Sequence, residues 1–161
     1  MSAEWQTTST ILEGLRDFEN ARAWQDFSAR FRGPIVSLVR RMGLTEAEAD
    51  DVAQETLIHF ADGLRAQKYD REKGRLSRWL FGIAYRQALN ARRKRGRALA
   101  KPAQFAPGAA EALPDETELS NAWDQEWESC LLARCIAQMQ NEVEPATFQA
   151  FVLVVQQGLP P

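Results

Sequence analysis

Cysteine, histidine and long apolar runs are all scarce in this 161-residue chain, and each scarcity removes a class of protein. The two cysteines, Cys130 and Cys135, are five apart on a helical pattern, with no CxxC pair and no cysteine-histidine cluster. That spacing excludes a disulfide scaffold and a structural zinc site, and it leaves both thiols as helix-packing residues. No apolar stretch approaches the roughly 18 residues that a membrane span needs. The first ten residues lack the basic start, apolar centre and small-residue cleavage site of a secretory signal, so a cytoplasmic location is expected. There is no Gly-rich phosphate loop, no G-x-S-x-G elbow and no strand alternation or internal repeat. His59 stands alone, four residues after Glu55, with Asp51 and Asp62 on the same helix. A metal enzyme built on that face is a weak alternative, and no enzyme is expected, nor any cofactor or metal.

What is present is 45% apolar and 26% charged, the composition of a globular chain. The formal net charge of -2 conceals a strong segregation along the chain. Residues 42–64 carry six acids, among them Asp51, Glu55 and Asp62, and no Lys or Arg. Residues 65–101 then hold thirteen Lys or Arg against two acids, and residues 102–161 hold one Arg against nine acids. A polyanionic partner is expected for the basic block, and a basic partner for the acidic one.

Hydrophobic periodicity and capping signals predict an all-α chain. The first long helix opens at Asn20 or Ala21, carries Trp24, Phe27, Phe31, Ile35, Leu38 and Val39 at threes and fours, is expected to kink at Gly33-Pro34, and ends near Gly43. Thr45 and Glu48 form a capping box for a second helix, whose apolar stripe is Ala49, Val52, Ala53, Thr56, Phe60 and Leu64. Turn chemistry fills residues 70–74, and Ser77 is expected to cap a third helix running to about Arg95. An Ala, Pro and Gly-rich linker separates these helices from a second lobe, in which Glu118–Gln140 and a helix beginning at Pro145 should close at Gly158. Trp123 and Trp127 read as core or interface residues of that lobe.

On a wheel at 100° per residue the third helix divides its chemistry between two sides. Leu76, Trp79, Leu80, Ile83, Ala84, Ala88 and Ala91 form a core stripe. Arg78, Gly82, Tyr85, Arg86, Leu89, Arg92 and Arg93 share an arc about 120° wide on the other side, extended by Lys94, Arg95 and Arg97. Clustered cations around a tyrosine suit nucleic acid, because phosphates are neutralised while an unpaired base stacks on the ring. A solvated basic face is the simpler competitor. On the second helix, Asp51, Glu55, Ile58 and Asp62 recur at fours and threes with Gln54 beside them, an acidic ridge with an apolar residue at its middle. It reads as a docking ridge or, more simply, as a solvated outer face.

The run from Asp50 to Leu57, followed by Tyr69-Asp70 and then Arg78-Trp79-Leu80-Phe81-Gly82-Ile83-Ala84, resembles region 2 of bacterial sigma-70-family factors of the extracytoplasmic-function (ECF) class. The resemblance spans residues 21–98, after a leader at 1–20. With the linker at 99–117, it leaves 118–161 similar to the start of region 4. It implies a three-helix region 2 bundle, a flexible linker and a partial helical region 4. It also implies a non-catalytic specificity subunit that binds RNA polymerase core and directs minus-ten recognition and DNA melting. By this resemblance Asp51, Gln54, Glu55, Ile58 and Asp62 meet the clamp helices of the largest polymerase subunit. Lys68, Tyr69, Arg75, Arg78, Tyr85, Arg86, Asn90, Arg92, Arg93 and Arg95 meet promoter DNA, chiefly the non-template strand of the minus-ten element. Arg86 stands where many members have Asn, which implies phosphate contact in place of base reading. An anti-sigma protein is a further partner that the resemblance admits. Pro161 precedes the helix-turn-helix of region 4, so a truncated region 4 is expected. A helical protein-interaction module or regulator with a basic face is the alternative from another class.

Overall fold

The computed structural model describes residues 11–99, 113–156 and 158. The first ten residues and most of the expected linker, residues 100–112, lie outside the described residues. Within them the chain is helical throughout: α1 (residues 11–16), α2 (Ala21–Arg41), α3 (Glu46–Arg65), α4 (Leu76–Leu99), α5 (Glu116–Glu142) and α6 (Pro145–Phe151), followed by a short π-helical stretch at Val152–Gln156.

Local chemistry sets the ends. The Asn20 side chain accepts from the Ala23 amide and starts α2, and Thr45 and Glu48 make a reciprocal capping box at the start of α3. Gly43, at φ 83°, takes the left-handed conformation that lets the chain leave α2 and enter Thr45 within two residues. The expected cap at Ser77 is not formed: α4 begins one residue earlier, its first turn closing from the Trp79 amide to the Arg75 carbonyl, and Ser77 is buried inside it. At its other end α4 continues to Leu99, past the expected stop at Arg95.

α2 runs unbroken through Pro34, which is buried. Proline removes the amide that the Arg30 carbonyl would otherwise accept from. The Cys130 thiol of α5 sits 3.8 Å from that carbonyl and donates to it. Burial, and then the nearby Glu126 carboxylate, push the Cys130 pKa up, which keeps the thiol protonated and able to donate.

α2, α3 and α4 pack around Phe27, Phe31, Ile35, Phe60, Leu80 and Ala84, all essentially inaccessible to solvent. α5 belongs to the same core. Leu119, Trp123, Trp127 and Leu131, four residues spaced along one stripe of α5, are buried in one cluster with the residues of α2 and α4. Trp127 stacks on Phe31 at 4.2 Å, and Trp123 donates its indole N–H to the Ser77 carbonyl at 3.1 Å. The sequence places these tryptophans in a second lobe, whereas the structure uses them to close the first. Leu12 and Leu15 of α1, in the expected leader, are buried in that core too. Beyond Leu131 the contacts thin out: Leu132 is exposed, and α6 packs on α5 and on the π-helical stretch that follows it.

Candidate polymerase and nucleic-acid interfaces

The buried residues of α3 are Ala49, Val52, Ala53, Thr56, Phe60 and Gly63. Thr56 is tolerated among them because its hydroxyl donates to the Val52 carbonyl at 2.7 Å. With that side committed to the core, Asp51, Gln54, Glu55, Ile58 and Asp62 all emerge on the outer face. Ile58 is 53% exposed, an isoleucine held in solvent at the middle of an acidic ridge. Asp50, just off the ridge, is paired with Arg32 of α2 at 2.8 Å. His59 is exposed as well, and among the described residues no group of three His, Cys, Asp or Glu side chains is arranged to hold a metal ion.

The loop between α3 and α4 is fastened at two points. The Asp70 carboxylate accepts from the Glu72 amide at 2.9 Å, and the Tyr69 hydroxyl donates to the Gly74 carbonyl at 3.2 Å. The Tyr69 ring lies 5.2 Å from Trp79, and this partial burial pushes the phenol pKa up. Trp79 packs on Phe60 at 5.1 Å over Gly63, so it has the packing position that its place at the edge of the core stripe predicts. Lys68 and Arg75 are exposed on this loop.

The basic residues of α4 separate into three groups. At its N-terminal end Arg78 donates to the Ser120 hydroxyl of α5 and lies 5.8 Å from the Phe81 ring. In the middle Arg86, Asn90 and Arg93 are exposed, with Arg86 braced on the Gly82 carbonyl at 3.0 Å. Tyr85 is half-buried and stacks on Phe81 at 5.8 Å. Toward the C-terminal end Arg92 donates to the Met42 carbonyl, and Arg95 donates to the Gly43 carbonyl at 2.9 Å. These two arginines satisfy carbonyls left over at the C-terminus of α2, where the helix dipole also favours positive charge. Sequence reasoning assigns all three groups to DNA; the structure gives Arg78, Arg92 and Arg95 partners on other elements of the fold and leaves Lys68, Arg86, Asn90 and Arg93 exposed on the surface. It also reveals Ser120 and Trp123 beside the α4 surface. The only sequence signal that could have found them is the stripe 119, 123, 127, 131 in α5.

A groove of about 850 Å³ lies between α3 and the C-terminal part of α4. Glu48, Asp51 and Glu55 line one side of it, and Asn90, Arg93, Lys94, Arg95 and Arg97 line the other. The acidic and basic surfaces thus meet along one seam.

An acidic helix face, a pinned loop and a cationic helix occur here in the order and spacing of one family. Residues 27–98 match the family model of sigma-70 region 2. This segment, 72 of the 161 residues, is similar to sigma-70 region 2, and the match supports a sigma factor of the sigma-70 family. Sigma region 2 acts in transcription initiation, binding RNA polymerase core and promoter DNA, and sigma factors are regulatory subunits without catalytic activity of their own. The matched segment takes in α3 and the loop, α2 from Phe27 onward and all but the last residue of α4, and it excludes α5. No curated protein and no solved structure matches the chain. No helix among the described residues is long and apolar enough to cross a membrane.

Proposed function

We propose that this chain is an ECF-type sigma factor acting in the cytoplasm, which docks on RNA polymerase core through the α3 ridge and opens the minus-ten element with α4. The observation that carries the reading is the pairing, inside one sigma-70 region 2, of an exposed acidic ridge centred on Ile58 with an exposed cationic stretch at Arg86, Asn90 and Arg93. Asp51, Gln54, Glu55, Ile58 and Asp62 meet the clamp helices of the largest subunit, the carboxylates pairing with cations around an apolar contact at Ile58. Hot spots of this kind place an apolar anchor within a polar rim.

On α4, Arg86 and Arg93 neutralise phosphate, Asn90 offers an amide to a base edge, and the half-buried Tyr85 ring receives an unstacked base. Lys68, Tyr69 and Arg75 line the approach from the loop. Extruding a base costs a few kcal/mol, which stacking at about 1 to 3 kcal/mol per base and charge neutralisation offset. Arg78, Arg92 and Arg95 hold the helix in place for this work and contact phosphate from its flanks. Residues 118–161 supply the start of region 4, and an anti-sigma protein is a partner for the surfaces that polymerase would cover.

The test is capture of bacterial core polymerase by the wild type and by Asp51→Arg/Glu55→Arg, followed by binding of the captured complex to a fork bearing single-stranded minus-ten DNA. Core capture should drop at least tenfold in the charge reversal, consistent with loss of two interface charge pairs. Fork binding should require the complex. Wild-type protein that fails to capture core would replace this reading with that of a helical protein-interaction module.

A further inference from the structure

A cavity of about 230 Å³ lies where α1, the start of α2 and the second half of α5 come together. None of its lining residues belongs to α3, α4 or the loop between them, so it is separate from the acidic ridge and from the cationic face. α1 runs close against α2 here: a Cβ built on Gly14 would stand 3.1 Å from the Ala23 Cβ. Arg22, Asp26 and Arg30 follow one another at one-turn intervals along α2, and Arg134 reaches the same cavity from α5. Three guanidiniums against one carboxylate leave an excess of two positive charges around one small space. Arg22, Asp26 and Arg134 are exposed, whereas Arg30 is half-buried, its guanidinium 5.7 Å from the Phe31 ring. The Arg30 Nη1 atom is buried and has no hydrogen-bond partner among the described residues. The guanidinium thus has no acceptor on its buried side, where an unmet charged donor is costly, and its counter-charge has to come from the cavity. Against about 30 Å³ for a water, that cavity has room for a polyatomic ion.

We propose that this cavity binds a small divalent oxyanion of the phosphate type, held by Arg22 and Arg30 of α2 and by Arg134 of α5. A planar guanidinium presents paired N–H donors that match two oxygens of a phosphate, and hydrogen bonds between charged partners are the strong ones. The excess of two positive charges is balanced by a dianion and only halved by a monovalent carboxylate. The bound ion bridges α2 to α5, so it strengthens the attachment of a helix that lies outside the region 2 match.

The experiment titrates the full chain with inorganic phosphate at about pH 8 and constant ionic strength, read by calorimetry, with acetate as the monovalent comparison. Wild type should show one saturable site, roughly tenfold or more tighter for phosphate than for acetate. Arg22→Gln/Arg134→Gln changes two exposed side chains and should weaken phosphate roughly tenfold or more, as should Arg30→Gln. If Arg30→Gln does not fold, the exposed pair decides. Lys94→Gln/Arg97→Gln removes two exposed charges from α4, outside the cavity and screened from it, and should shift the affinity by less than about twofold. Glycerol phosphate that binds as tightly as phosphate would extend the site to phosphomonoesters, and weaker binding would restrict it to the inorganic ion; both uphold it. Wild type without saturable phosphate binding would overturn the site, and so would full affinity in Arg22→Gln/Arg134→Gln. An equal loss in the α4 pair would move the ion to the basic face of α4, and acetate as tight as phosphate would overturn the divalent ligand.

Discussion

Gly63 shows how much a single hydrogen atom can decide. A Cβ built there would lie 2.8 and 2.9 Å from two ring atoms of Trp79. In a helix interior alanine is worth about 1 kcal/mol more than glycine, so on propensity alone Gly63→Ala would stabilise α3. The ring cannot yield easily, because it is wedged between Phe60 at 5.1 Å and Tyr69 at 5.2 Å. Overpacking of this kind costs typically 1 to 3 kcal/mol, so Gly63→Ala should be destabilising overall and should disturb tryptophan fluorescence. A chemical denaturation midpoint at or above that of the wild type would contradict this. The arginines teach the same lesson at the surface. On a helical wheel Arg92 and Arg95 lie about 60° apart and Arg93 lies on another side; the first two hold the Met42 and Gly43 carbonyls just past the end of α2, and Arg93 faces solvent. Their division of labour depends on where α2 ends, and the pattern of α4 alone does not contain that information.

Elements were legible wherever a local signal sets them. The capping box at Thr45 and Glu48, the Asn20 cap and Pro145 in the first turn of α6 all follow from residues within three positions of each other. Ser77 misled because a helix start needs both a capping side chain and a free amide in front of it; here the helix opens at Leu76, and Ser77 is drawn inward with its carbonyl facing Trp123. The outer ridge of α3 was legible for the converse reason: once its apolar stripe is committed to the core, the opposite side has nowhere else to go. The capping box also carries a pH dependence. The Thr45 backbone amide, foremost among its partners, donates to the Glu48 carboxylate at 2.7 Å and, with Arg95, lowers its pKa. A depressed carboxylate contributes stability that is present above its unfolded pKa and is lost as pH falls through the folded value, hence below about pH 4. Glu48→Gln should therefore melt below the wild type near neutrality, and the gap should narrow near pH 3. A gap that stays constant across that range would rule out the charge as its origin.

At the scale of the molecule, the place of α5 was the part least legible in the sequence. Its contacts bridge 89 residues from Ser37 to Glu126 and 100 from Arg30 to Cys130, across two further helices and a linker whose sequence has no periodicity. Nothing within a local window reports such pairings, and the family match ends before them. The core nevertheless depends on them. Trp123→Ala should cost about 3 to 5 kcal/mol, the usual toll for emptying a buried aromatic site, and lower the urea midpoint of the whole bundle. If α5 unfolded separately, with α2 to α4 keeping their wild-type midpoint by a second probe, the single shared core would be refuted.

The same helix leads a double life along its length. Its first half is anchored by Trp123, Trp127 and Leu131, and the eleven residues that follow reach about 16 Å farther at 1.5 Å each before α6 begins. The azimuth of α6 is therefore dictated by the angular phase of a continuous helix rooted in the bundle. One inserted residue after Leu131 would swing the half-buried Phe148 and Phe151 through about 100°, whereas seven would return them to within about 20° of their starting bearing and displace them by roughly 10 Å. Length and phase in this arm are separable variables, and only insertions of whole turns preserve the direction in which that apolar pair points.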